Sequence, residues 1–471
     1  MRRCSLIRTL AVPVALLVVS GCAHYTPYPL TPADSRAALA SRTLSDPALA
    51  RFIRTQDSTM ASAPKRWDLR TLTWAALYFN PQLDVARAGL RVSRAAVITA
   101  GGRPEPAVSL GAEDVTHTEN PSPWILGFIF DIPIETAGKR GLRIAAARSL
   151  STASSLMLGT EAWKVRERVR SALLRVWAAS RGVDLARREV RLREARLRLL
   201  EGRLEAGAVS ALKVARARSA SQEARLRAED RAGRLSSARV DLAEAVGIPT
   251  HALDSVSLDL EVFEARDWPS IRDEPELRRS ALLDRTDVQA RMAEFRAADA
   301  AFRLELAKQY PDLHLGPGFT WEQGERHFVL APSLLLPILT RNRGPIAEAS
   351  ARRAAAAARF TALQARVLAQ LDRAHAAYRS ARRYLAVGDS LKRTRHALAA
   401  RVERAVQVGE DDPIEAVDAR LQEVAAEEVL LRARTSAIDA LGELEDTFQH
   451  PLLGDLAELP VSARDLRERM R

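Results

Sequence analysis

The chain has 471 residues, a formal net charge of +12 and an isoelectric point near 10.3. That length allows several domains or one extended fold, and an aromatic content of 5% beside abundant Ala and Arg suits long, closely packed helices better than a large globular core. The basic balance raises nucleic-acid binding, but the arginines are scattered among Glu and Ala without zinc-finger spacing, an RNP-like motif or an aromatic-basic platform, so a solvated mixed-charge helix surface is expected and a nucleic-acid partner is not.

Arg2, Arg3 and Arg8 precede an apolar run, Leu10 to Val19, that is too short to span a bilayer. The run ends in Val19-Ser20-Gly21-Cys22. Residues 1–21 therefore read as an export signal whose end resembles the lipobox of bacterial lipoproteins. That resemblance implies lipid attachment at Cys22, and Ala23 after it implies sorting to the outer membrane. Cys4 and Cys22 are the two cysteines, so the body of the protein has no disulfide framework. Residues 22–66 read as a tether in which Pro27, Pro29 and Pro32 favour extended chain, with a short helix around Asp34–Ile53.

The rest of the chain repeats itself. A first repeat is expected over residues 67–250, a linker over 251–273, a second repeat over 274–442 and a C-terminal tail over 443–471. Each repeat starts with a helix, about Leu69–Thr99 and Pro275–Lys308, and then breaks at proline into strands. Pro106 to Gly111 aligns with Pro311 to Gly316 at an offset of 205 (311 minus 106). Pro133 aligns with Pro337, and Lys139-Arg140-Gly141 with Asn342-Arg343-Gly344.

The strands alternate. Trp124, Leu126, Phe128, Phe130, Ile132 and Ile134 share one face, with Ile125, Gly127, Ile129, Asp131 and Pro133 opposite. Phe328, Leu330, Pro332, Leu334 and Leu336 share a face, as do Leu313, Leu315, Phe319 and Trp321. One greasy face suits a lipid-facing barrel wall, although a half-buried soluble hairpin alternates in the same way. Four strands make too small a barrel alone, so closure requires that copies of the chain share one. After each strand pair comes a long helical run. Gly141 to Ala206 is about 66 residues, or roughly 100 Å. Val169, Val176, Val183, Val190, Leu197 and Leu204 recur in it every seven residues, the spacing of a coiled-coil seam. Shorter helices return. One of them stacked end to end on a repeat's first helix would match one long helix in length.

Two tips join the long and returning helices. Gly207 and Gly409 end the first, and Ser210 and Asp412, three residues later in each, are good N-caps for the second. Pro413 follows at the first helical position, and Glu415 has the capping-box spacing from Asp412. The tips are 202 positions apart (409 minus 207).

In this order and at this doubled period, the tips, the Asn80-Pro81-Gln82-Leu83 helix start and the proline-bounded strand pairs resemble the TolC-type outer-membrane efflux proteins, over about Trp67 to Gly442. The resemblance implies a mainly α fold: a long antiparallel coiled-coil helical barrel plus a transmembrane β-barrel shared by a homotrimer, four strands per protomer. It implies no enzyme and no cofactor beyond the lipid on Cys22. The expected role is a passive exit duct in a tripartite efflux system, with a periplasmic adaptor, an inner-membrane pump and outer-membrane lipid as partners. The adaptor is expected to dock at the tips around Gly207, Ser210, Gly409 and Asp412. Ile132 to Arg143, with Ile134-Glu135 and Gly138-Lys139-Arg140, resembles the heavy-metal, CzcC-like branch, which implies heavy-metal cations as cargo beside small toxic compounds. Lys139, Arg140 and Arg143 could reach inner-leaflet phosphates there, or could be plain solvated bases.

The family closes its tip with carboxylate rings six and nine residues beyond the second-repeat glycine. Those positions are Glu415 and Asp418, three apart on one helix face, and the matching first-repeat positions are Lys213 and Arg216. An ion-paired gate between the two sets is expected, against the alternative of an ordinary charged helix surface. The eight histidines show no metal-ligand spacing, and no nucleotide-binding or nucleophile motif is present. Two other readings stay open: an exit duct for type I protein secretion, and a non-channel coiled-coil envelope lipoprotein.

Overall fold

A computed structural model of the chain describes residues 24–56, 64, 66–116, 122–264, 268–269, 275–322, 324–336 and 340–452. The leader with Cys22, part of the linker and the tail from 453 onward lie outside the described residues. The chain divides into two units, Met1–Thr43 and Leu44–Arg471. The first holds α1 (Pro32–Ala40), with Pro32 at the start and Thr31 Oγ1 accepting from Asp34 N at 3.1 Å.

The second unit begins with α2 (Pro47–Gln56), β1 (Arg66–Trp67), α3 (Leu69–Phe79) and α4 (Pro81–Ala100). Then come β2 (Ala107–Asp114), β3 (Trp124–Ile134), α5 (Lys139–Glu205) and α6 (Ala211–Val246). After β4 (Ser257–Leu258) the pattern recurs: α7 (Pro275–Leu283), α8 (Thr286–Ala307), β5 (Leu313–Glu322), β6 (Glu325–Leu334), α9 (Arg343–Gln407) and α10 (Pro413–Phe448). No described helix is long and apolar enough to cross a membrane.

The single helix expected at the start of each repeat is two helices. Pro81 has no N–H for the helix ladder and holds Asn80 extended (φ −69°, ψ 121°), so α3 stops there and α4 starts. Arg285 is also extended and divides α7 from α8.

End-to-end stacking does occur, and one joint serves each repeat. At the first, Asn80 Nδ2 donates to Ala245 O at 3.0 Å, and a Cβ on Gly247 (φ +86°) would stand 2.9 Å from Phe79 O. Only glycine lets the end of α6 approach the start of α4 so closely. At the second, Arg285 Nη1 donates to Thr447 O at 2.9 Å and Thr286 N to Gln449 Oε1 at 2.9 Å, which joins α8 to the end of α10. Long α5 thus lies along the α4–α6 stack and also packs on α8 and α10; the extensive contacts of α9 are with α7, α8 and α10.

Gly442 does not end the second returning helix, as the sequence suggests, nor does a tail begin at 443. The helix continues to Phe448, burying Leu441, Leu444 and Glu445 against the body. Gly442 is instead a site of close approach: a Cβ there would lie 1.0 Å from Arg170 Nη1. The main core lies between the helices at this level and includes Trp67, Leu72, Trp74, Val169, Leu173 and Leu441. β1 and β4 pair in parallel beside it. The seven-residue seam of α5 is buried at Val169, Val176 and Val183 and opens toward the tip, where Leu204 is exposed.

The other four strands form one antiparallel sheet, in the order β2-β3-β5-β6. Its register pairs Phe128 with Phe319 and Phe319 with Phe328, and the ring centroids lie 6.2 and 5.4 Å apart. The greasy alternation of the four strands therefore falls on one face. Asp131 and His314 share the other, with Asp131 Oδ1 2.8 Å from His314 Nδ1. β2 and β6 are exposed along their whole length, and each has one edge unpaired.

Candidate functional site: the helical tips

Both tips are built by one device. Gly207 (φ +72°) and Gly409 (φ +78°) take the left-handed conformation that glycine adopts without steric cost. Ala208 N donates to Arg203 O at 2.7 Å, and Glu410 N to Ala405 O at 2.8 Å, so each helix closes with the wrapped hydrogen bond of a glycine C-cap. The new helices start differently. Asp412 Oδ1 caps Ile414 N at 2.8 Å, whereas the Ser210 side chain makes no capping bond. Glu415 does not complete a capping box: the Asp412 N–H donates instead to Asp411 Oδ1 at 2.8 Å, and the Asp412 carboxylate also takes a second partner.

That partner is Arg203 on α5, whose guanidinium grips both Asp412 oxygens at 2.7 and 2.6 Å. Arg203 and the Ile414 amide hold the Asp412 carboxyl below its usual range. Seven residues back along α5, Arg196 Nε donates to Asp418 at 2.7 Å. Further up, Arg188 pairs with Glu427. Three Arg–carboxylate bridges thus tie α5 of the first repeat to α10 of the second. Beneath them Leu200, Val214, Ala217 and Ile414 form a small apolar core.

The expected pairing of Lys213 and Arg216 with Glu415 and Asp418 is not made within the chain. Val214 and Ala217 turn inward on α6, which leaves Lys213 and Arg216 on its exposed face, and Arg196 holds Asp418 instead. The Glu415 side chain is exposed and has no ion pair among the described residues.

One level above, α9 and α10 are joined by a second network. Arg420 pairs with Glu403 and donates to Glu423 at 2.6 Å, and His396 Nδ1 lies 2.6 Å from Glu423. Burial pushes the Glu423 carboxyl up, but His396 and Arg420 more than offset it, and the net shift is downward. At mid-height a groove of 1060 Å³ runs between α6 and α10 over α5, rimmed by Arg231, Arg234, Asp241 and Asp439.

The basic run at the start of α5 neither reaches outward nor sits in solvent as a whole. Lys139 is buried, with Nζ 2.7 Å from Tyr310 O and 2.8 Å from Asp312 Oδ1. Arg143 pairs with Glu135, and Arg140 Nε donates to Gly101 O at 2.7 Å. Thr136 Oγ1 donates to Pro311 O at 2.6 Å. The Glu135-to-Arg143 run is a clamp that fixes the strand-to-helix turn against the start of β5.

Sequence reasoning missed the charged cluster buried at the end of α10. Arg166 and Glu445, both with wholly buried side chains, are 3.0 Å apart, and Arg170 lies 2.6 Å from Asp446. Burial, acting against the pull of Arg170, pushes the Asp446 carboxyl up to about 7. The only hint in the sequence was the i,i+4 spacing of Arg166 and Arg170.

Residues 73–248, the first repeat, match the family model described as outer membrane efflux protein. The first repeat belongs to that family. Among curated proteins, the chain is 27% identical over 268 residues to the cobalt-zinc-cadmium resistance protein CzcC of Cupriavidus metallidurans. That match covers 56% of this chain and 62% of the relative, less than two thirds of its length. Among solved structures, the open state of the Neisseria gonorrhoeae MtrE outer membrane channel superposes with a TM-score of 0.68 at 18% identity, covering 83% of this chain and 90% of that one. The outer membrane protein VceC of Vibrio cholerae gives 0.67 at 17% identity, over 86% and 99% of the two chains. The chain therefore has the fold of these outer-membrane proteins along most of its length.

Proposed function

We propose that the protein is the exit duct of a tripartite efflux system in the outer membrane, a passive homotrimeric tunnel that takes its energy from an inner-membrane pump through a periplasmic adaptor. One observation carries this reading: a four-stranded sheet, greasy on one face and unpaired at both outer edges, continues directly into helices roughly 100 Å long. Four strands are too few to enclose a filled cylinder, and three chains pooling them reach twelve. An aromatic stripe such as Trp124 to Ile134 has no use in an envelope spacer but suits lipid contact. The relative of cobalt-zinc-cadmium resistance favours heavy-metal cations as cargo, beside small toxic compounds. Cys22 carries the lipid anchor, and the adaptor docks at the tips around Gly207 and Gly409.

In a threefold assembly Glu415 would form a ring of carboxylates at the mouth, where low-dielectric walls concentrate the field and favour cations. Asp418, balanced by Arg196, contributes less to that field than Glu415 does. Purified protein should run as a trimer and form cation-preferring pores in planar bilayers, and Glu415→Gln should weaken the preference. A stable monomer that never conducts defeats the reading, and an unchanged ion preference in Glu415→Gln defeats the ring.

A further inference from the structure

The face of the four-stranded sheet that lies opposite the greasy one carries a chemistry of its own. Asp131 stands there with Pro133, whose partner across the ladder is His314. Thr320, on the same face of β5 as His314, is paired with His327. At the far end Glu322 stands opposite Glu325, and Glu113 opposite Ile125. The four strands contain no lysine and one arginine, Arg326, whose partner Trp321 puts it on the greasy face. In a chain with 71 Lys and Arg residues, this face therefore holds carboxylates and imidazoles and no permanent cation.

Both histidines stand beside a carboxylate, and solvent reaches all four side chains. Asp131 Oδ1 lies 2.8 Å from His314 Nδ1. An ionised carboxylate only accepts, so the proton is on Nδ1, and the neutral ring presents the bare lone pair of Nε2. A carboxylate in that position orients a metal-binding imidazole and raises its basicity. Nearer the other end of the sheet, His327 Nε2 is 3.7 Å from Glu325 Oε2, too far for a hydrogen bond. A zinc-class cation sits about 2.0–2.1 Å from a nitrogen ligand and about 2.0–2.2 Å from an oxygen, so one ion can touch both atoms across that gap. Ser333 is opposite His314, so along β6 the two pairs are six residues apart (333 minus 327), or roughly 20 Å.

We propose that the barrel wall binds borderline divalent transition-metal cations of the zinc class at two stations per chain, His314 oriented by Asp131 and His327 with Glu325. This rests on the duct reading, in which this face lines the lumen. Each station supplies one or two protein ligands and leaves the rest to water. An ion is therefore held loosely enough to move on, as conduction requires. Imidazole suits zinc and its neighbours, whereas magnesium prefers oxygen and gives up its water reluctantly. The stations thus discriminate among divalent cations by ligand softness, which carboxylates alone do not.

Single-channel recording in planar bilayers, on variants verified as trimers by light scattering, tests this with zinc chloride against magnesium chloride. Zinc should lower the parent current several-fold at concentrations where magnesium leaves it unchanged. His314→Gln and His327→Gln should each raise the half-blocking zinc concentration several-fold. The double variant should conduct potassium chloride as the parent does and should respond to zinc as it does to magnesium. In the His327→Gln background, where the inner station alone remains, adding Asp131→Asn should weaken the residual block about tenfold, the usual cost of disturbing an imidazole's carboxylate partner. A double variant that zinc blocks as it blocks the parent means that the imidazoles are not the ligands, and the proposal fails. A parent that magnesium blocks equally well assigns the effect to carboxylate charge and also defeats it. Conducting trimers that ignore zinc overturn both stations while leaving the duct intact. Chains that stay monomeric and never conduct remove the duct itself and the proposal with it.

Discussion

Replacing Glu445 with leucine tests the buried charge cluster that fastens α10 to α5. Arg166 is wholly buried, and its Nε and Nη2 have no hydrogen-bond partner among the described residues, so Glu445 at 3.0 Å is the counter-charge that makes its burial tolerable. Removing one partner of a buried pair costs about 3–5 kcal/mol, because the remaining charge stays desolvated. Leu452 N also loses its acceptor at 2.5 Å. At about 2–4 °C per kcal/mol for a large domain, the melt of the helical signal should fall by roughly 6–20 °C. Circular dichroism on the purified protein reads this directly. The double variant Arg166→Met/Glu445→Leu should recover most of the loss, since apolar residues of similar volume replace a buried pair at little cost. A single variant that melts with the parent would mean that water reaches Arg166. A double variant as unstable as the single would mean that the network, and not charge balance, is what α10 requires.

Gly442→Ala should destabilise the same joint, because its Cβ would occupy the place of the Arg170 guanidinium; a melting temperature equal to the parent's would contradict that packing. Asp446 titrates near 7 in the folded chain, far above the ordinary aspartate value of about 3.9, so the folded state binds more protons than the unfolded one between those values. Stability should therefore fall as pH rises from about 4 to about 7, and the slope should be shallower in Asp446→Asn, as denaturant melts across that range would show. Gly409→Ala should cost about 1–2 kcal/mol at the tip for its left-handed backbone and raise amide exchange locally, with Gly409→Asn milder. The Arg203–Asp412 bridge should survive mild acid, because the Asp412 pKa is lowered and the bond is lost only as pH falls below the usual carboxylate range; protection of the Ile414 amide that persists as the pH is taken below about 4 would show it.

The local features were legible in the sequence and the lateral ones were not. Gly207 and Gly409, with a cap residue three positions on, fix the tips by backbone chemistry that needs no distant partner. Period-two alternation did the same for β3 and β5. Asn80-Pro81 is visible as a helix start, yet the helical pattern runs on through it, and only the restriction that proline places on Asn80 separates α3 from α4. Gly442 misled for the opposite reason: glycine ends helices, but here it lies inside one, where Arg170 needs the space. The bridging arginines were hidden by numbers. Among 71 Lys and Arg residues nothing local singles out Arg196 or Arg203, and the choice of Asp418 and Asp412 depends on how α10 is rotated against α5. Lys213 and Arg216 correspond to Glu415 and Asp418 by position in the repeat, and that correspondence says nothing about which face of α6 they occupy.

A duplicated chain can do what a ring of single repeats cannot. Six identical repeats would meet at six identical seams, and a charge placed on one face would be placed on all of them. Fusing two repeats separates the seams into those inside a chain and those between chains, and each kind can then acquire its own residues. The charge reversals at the tip follow that division: Asp418 stands where the other repeat has Arg216, and Glu427 where it has Arg225. Each reversal puts a carboxylate on the stack that faces α5 and a cation on the stack that would face α9 of a neighbour. The internal seam gains its bridges from residues that each repeat carries without a like counterpart in the other.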